Sequence, residues 1–142
     1  MAVNKFIPNS STTDFIKLCL QRESVLKKYE FLKVISQNTK EIIFVGALQP
    51  NGCNSYLIKI VCRANSSPKV FIKSPEIPYN SVIHMYSDKS LCLFYPKEMP
   101  WNNSKLIADT IIPWTVEWLI FYELWLETGK WLAPSVSHGN KK

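Results

Sequence analysis

No two of the four cysteines, at 19, 53, 62 and 92, form a CxxC pair, and neither histidine lies within zinc-ligand spacing of one. That excludes a structural zinc site and a disulfide framework, so no metal or other cofactor is expected. Met1 to Pro8 has no apolar core of the kind a secretory signal needs, which leaves a reducing cytoplasm as the default location. Tracts of basic residues are missing too. The formal charge is +6 and the pI near 9.2, but the lysines are scattered, with pairs only at Lys27-Lys28 and Lys141-Lys142. A solvated basic surface accounts for them better than nucleic-acid binding does. The sequence as it stands has no terminal glycine, so it is not expected to act itself as a ubiquitin-like modifier.

What is present is apolar and aromatic. Hydrophobic residues make up 46% of 142 positions, enough for one globular domain over 1–142, with about 1–10 and 133–142 as flexible ends. Ser11-Thr12-Thr13-Asp14 reads as a helix cap with an acid in the first turn. Phe15, Leu18, Cys19, Val25, Leu26 and Tyr29 then follow at helical spacing, which predicts a helix over 13–29. From 30 to 74 the period changes to two. Strands are expected at 31–35, 41–48, 56–62 and 70–72, separated by Pro50-Asn51-Gly52 and Asn65-Ser66-Ser67-Pro68. Loops this short favour an antiparallel meander.

A proline-stiffened exit, Ser74 to Asn80, leads to Ile83-His84-Met85-Tyr86-Ser87-Asp88-Lys89-Ser90-Leu91-Cys92-Leu93-Phe94. A histidine thus stands eight residues before a cysteine, across a polar turn. By itself this pair is ambiguous, because a cysteine between leucines most often acts as a small hydrophobe. An irregular segment from Tyr95 to Ser104 follows. A second helix then opens at Thr110-Ile111-Ile112-Pro113 and stops at Gly129. It is apolar nearly all round. Glu117, Glu123 and Glu127 interrupt it, and it is short for a bilayer, so burial against the sheet is expected in place of a membrane span.

The order of these elements resembles the ubiquitin-conjugating-enzyme (UBC) fold, an α+β architecture. It runs N-terminal helix, four-stranded antiparallel meander, active-site cysteine loop and long C-terminal helix. Pro68-Lys69-Val70 with Pro75 looks like the family's fourth strand and exit, and His84-Met85-Tyr86 stands where the family has His-Pro-Asn. A narrower likeness is carried by Ser87-Asp88-x-Ser90-Leu91-Cys92-Leu93, Tyr95-Pro96, Trp101, Ile111-Ile112-Pro113-Trp114-x-x-Glu117-Trp118-Leu119 and Thr128-Gly129-x-Trp131. These are similar to the bacterial stand-alone conjugating proteins of short type II CBASS antiphage operons, which sit beside a cGAS-like nucleotidyltransferase.

The resemblance implies that Cys92 carries the C-terminal glycine of a partner, the nucleotidyltransferase, as a thioester and passes it to an amine on a protein or small molecule. His84 is then a structural support of the turn. Tyr86 replaces the family asparagine as oxyanion donor, with backbone N–H groups near Cys92 in reserve. Asp88 is placed to tune the incoming amine or, equally, to bond its own turn. Pro96 and Trp101 are the candidate partner contacts. A catalytically inactive binding module on the same fold is the alternative. The tryptophans at 114, 118, 125 and 131 read as core, not as a ligand cage.

Overall fold

The computed structural model describes residues 10–94, 101–102 and 104–133. Helix α1 spans Ser10–Lys28, and four strands follow: β1 Lys33–Gln37, β2 Glu41–Leu48, β3 Tyr56–Arg63 and β4 Lys69–Ser74. Helix α2 runs from Ile111 to Thr128. The sheet order is β1-β2-β3-β4, with every neighbouring pair antiparallel, so the meander is as expected. This is an α+β, UBC-like architecture.

Alternation decides which face is covered. In β2 and β3, Ile42, Phe44, Ile58, Ile60 and Cys62 are buried while Ile43, Val45, Lys59 and Val61 between them are not. Leu18 and Val25 of α1 and Ile111, Ile112 and Leu119 of α2 join that buried set, so both helices pack on the same face of the sheet. Glu123, one of the charges that argue against a membrane span, is an anchor. Its carboxylate accepts from the Tyr56 hydroxyl and the Asn54 N–H, each at 2.7 Å. Among the described residues no helix is long and apolar enough to cross a membrane.

Two boundaries differ from the sequence reading. Helix α1 begins at Ser10, so its first turn holds no acid; Asp14 instead accepts from the Asn65 side chain at 3.0 Å, tying the helix to the β3–β4 turn. Phe15, counted among the apolar helix positions, is 38% exposed. The first strand starts at Lys33, two residues later than expected, and is bulged between Val34 and Ser36. The end of α2 is as read: Gly129 adopts φ 74°, and its N–H closes on the Trp125 carbonyl at 2.8 Å.

Leu32 enters the core just before β1, and the chain there passes directly over Gly46 of β2. A side-chain carbon at Gly46 would fall on the Phe31 carbonyl oxygen and within 3.1 Å of Leu32 Cα. Backbone atoms cannot rotate out of the way. Gly46→Ala is therefore expected to destabilise by about 1–3 kcal/mol, read as a lower urea midpoint with an unchanged slope.

Candidate functional site

The site is a hairpin fastened to the free edge of β4. After the exit, Asn80 caps a 3₁₀ turn, Ser81–Ile83, its side-chain oxygen accepting from the Val82 N–H at 2.9 Å. His84 then takes the left-handed conformation (φ 58°, ψ 62°), which reverses the chain. Met85 bridges to Leu91, the Tyr86 N–H donates to the Ser90 carbonyl at 2.9 Å, and the Lys89 N–H donates to the Tyr86 carbonyl at 2.8 Å. Lys89 is also left-handed, at φ 73°. This is a three-residue hairpin loop closed by a left-handed residue. Its second arm extends the sheet, through the Leu91 N–H to the Val70 carbonyl at 2.9 Å and the Ser90–Phe71 bridge.

Cys92 comes next on that arm. Its N–H donates to the His84 carbonyl at 2.9 Å, so the two ends of the motif close on each other. The thiol donates to the Phe94 carbonyl at 3.7 Å, and the Tyr86 hydroxyl neighbours it closely enough to act on its protonation. Burial pushes the Cys92 thiol above its ordinary pKa, and the Tyr86 hydrogen bond pulls the other way. The Tyr86 phenol is pushed up by burial first and by the neighbouring sulfur second, so it keeps its proton. Cys92 is half-buried. Cys62, by contrast, is 2% exposed, and burial lifts its thiol to about 12.

Asp88 is committed to the hairpin. Lys69 of β4 holds one of its oxygens at 2.7 Å, and the Ser90 N–H and hydroxyl hold the other at 2.8 and 2.6 Å. The Lys69 bond, followed by those from Ser90, brings its carboxyl down to about 2. His84 lays its ring against Trp131 with centroids 5.3 Å apart and an interplanar angle of 22°. Trp101, expected at a partner surface, is in the core at 7% exposure, its indole N–H donating to Thr110 at 3.0 Å. The ring is thus packed into the fold. Pro96 lies outside the described residues.

The structure therefore brings His84, Tyr86, Asp88 and Cys92 into one hairpin and leaves Trp101 out of it. It also adds two residues that sequence reasoning did not connect with the site. Lys69 reaches it through Asp88, and Trp118 of α2 donates to the backbone at Ile83 and His84. The only signal for Trp118 was that a buried indole N–H needs an acceptor. Beside the hairpin, a groove of about 380 Å³ is lined by Pro68, Lys69, Tyr86, Ser87, Leu91, Leu93 and Phe94, among others. Tyr86 is shared between the groove and the sulfur.

A helix, an antiparallel meander, a cysteine hairpin on its edge and a closing helix define a ubiquitin-conjugating-enzyme-like protein. The family is narrower than that fold. A family model for the type II CBASS E2 protein matches residues 21–139, and the chain belongs to that family, a conjugation-related family of antiviral defence. A search of curated proteins returns no match.

Proposed function

We propose that this protein is an acyl carrier: Cys92 accepts the C-terminal glycine carboxyl of a partner as a thioester and hands it to an amine. The partner is the cGAS-like nucleotidyltransferase of the same defence system. One observation carries the reading. Cys92 neighbours a protonated hydroxyl, that of Tyr86, which also lines the groove beside the hairpin, where the partner's chain end would be seated.

In loading, the Cys92 thiolate attacks an activated carboxyl, the carbon–sulfur bond forms and the activating group departs. In transfer, the amine adds to the thioester carbonyl, giving a tetrahedral carbon that bears both the oxyanion and the sulfur. Tyr86 donates to that oxygen, the carbon–sulfur bond breaks, and the amide leaves with the amine's proton lost to solvent. His84 supports the turn that brings the two arms together. Asp88 has too low a pKa to be an efficient base at neutral pH, and its three hydrogen bonds make it a support of the turn.

The test supplies the partner's C-terminus as a small-molecule thioester, which removes any need for an activating enzyme. Mixing it with the protein should give a one-to-one adduct on a non-reducing gel. Added thiol should clear that band, and mass spectrometry should map it to the Cys92 peptide. No adduct, or an adduct spread over Cys19 and Cys53, overturns the proposal.

A further inference from the structure

We propose that Trp118 is a positioning residue for the Cys92 chemistry, acting through the His84 carbonyl to hold the sulfur against the Tyr86 hydroxyl; the role in transfer rests on the acyl-carrier reading above. Trp118 lies in the middle of α2, 4% exposed, with an indole N–H that reaches across to a different part of the chain. That one donor is shared between the Ile83 carbonyl at 2.9 Å and the His84 carbonyl at 3.2 Å. The His84 carbonyl also accepts the Cys92 N–H at 2.9 Å. A single backbone oxygen thus joins the helix, the left-handed turn and the candidate nucleophile.

The left-handed conformation at His84 makes this arrangement consequential. A non-glycine residue at φ 58° sits in a small allowed region and is kept there by what its surroundings hold in place. Trp118 holds the carbonyl and Trp131 holds the ring. The two indoles pack on each other at 5.7 Å, and Trp118 stacks on Tyr122 at 5.3 Å, which fixes the direction of its N–H. Without that donor, His84 can relax toward negative φ and swing its carbonyl away. The Cys92 amide would then lose its acceptor and the sulfur its register with Tyr86. Displacements of about 1 Å at reacting atoms can cost on the order of 10²-fold in rate.

Simple destabilisation would also slow a reaction, so the test is a double-mutant cycle with Tyr86. Two versions of Trp118 are used. Trp118→Phe keeps an aromatic ring without a donor, and replacement of Trp118 alone by 3-benzothienylalanine keeps the two-ring shape with sulfur in place of N–H. Each is combined with Tyr86→Phe. The readouts are the apparent thiol pKa of Cys92, from the pH profile of iodoacetamide alkylation, and the single-turnover transfer rate.

In the native background Tyr86→Phe is expected to raise the thiol pKa and slow transfer about 10²-fold. In either Trp118 background the same change should shift the pKa by less than half as much and slow transfer less than about tenfold, since the sulfur is already out of register. Trp125→Phe, an aromatic loss on the same helix, should leave the Tyr86 effect at full size. Full-size Tyr86 effects in the benzothienyl variant would overturn the proposal, whatever its melting temperature. The alkylation arm needs no conjugation partner. Should the native protein form no thioester, the acyl-carrier reading falls and the pKa cycle alone decides the role of Trp118.

Discussion

Replacing Cys92 with alanine is expected to abolish the partner adduct, while Cys19→Ser and Cys53→Ser leave it at native yield. Cys62→Ser should be equally silent on adduct formation, because that thiol is sealed in the core and its pKa stands at about 12. Cys92→Ser is the informative variant. A serine alkoxide is far harder to form, so any adduct should appear slowly and survive added thiol as an oxygen ester. Measurement by non-reducing gel and intact mass separates the outcomes. If Cys92→Ala still binds the nucleotidyltransferase C-terminus as tightly as native protein, and native protein never forms a covalent product, the chain is a docking module on the same fold.

The raised thiol pKa of Cys92 has a consequence for this chemistry. With less thiolate at neutral pH, loading should speed up as pH rises through and beyond the ordinary thiol range. The same property makes the sulfur a poorer leaving group once acylated. A thioester formed on Cys92 would thus be slow to break down to water and would wait for a step that stabilises the transition state. A thiol tuned the other way, toward a low pKa, would load faster and hold its cargo less securely.

Elements with strong punctuation could be read from the sequence, and those without it could not. Strand β2 is bounded by the Asn38 turn and by Pro50-Asn51-Gly52, and its predicted limits match Glu41–Leu48. Gly129 ends α2 for the reason a glycine usually does. The start of α1 is ambiguous because Ser10, Ser11, Thr12 and Thr13 are all acceptable caps. Strand β1 misleads because its residues are mostly exposed and its bulge breaks the alternation, while the conspicuous Phe31-Leu32 pair belongs to the approach, not the strand. At the site, the His84-to-Cys92 spacing marked the place. Left-handed His84 and Lys89, the Tyr86–Cys92 contact and the reach of Trp118 depend on how distant segments meet, which no local pattern encodes.

Tyr86→Phe should slow thioester loading modestly, through the raised Cys92 thiol pKa, and slow transfer to an amine far more, by about 10²–10³-fold, or roughly 2.7–4 kcal/mol of transition-state stabilisation. The substitution removes one oxygen and keeps the ring. That ring is 45% exposed, so little packing is at risk and the melting temperature should barely move. The alternative donor nearest the sulfur, the Cys92 N–H, already donates to the His84 carbonyl at 2.9 Å and cannot turn to an oxyanion without opening the hairpin. Among the described residues no hydrogen bond from the Tyr86 hydroxyl to a backbone acceptor holds it in place. When a thioester's tetrahedral intermediate forms, its oxygen and that sulfur share one carbon, so a small rotation would carry the hydroxyl from one acceptor to the other. The phenol's pKa, lifted by burial, keeps the proton in place across the pH range in which an amine is nucleophilic. The check is a pulse–chase experiment: load the protein, quench the donor, add amine, and follow the decay of the thioester. Equal decay in Tyr86→Phe and native protein would show that the hydroxyl only packs. Loading slowed as much as transfer would show instead that Tyr86 acts chiefly on the free thiol and not on the oxyanion.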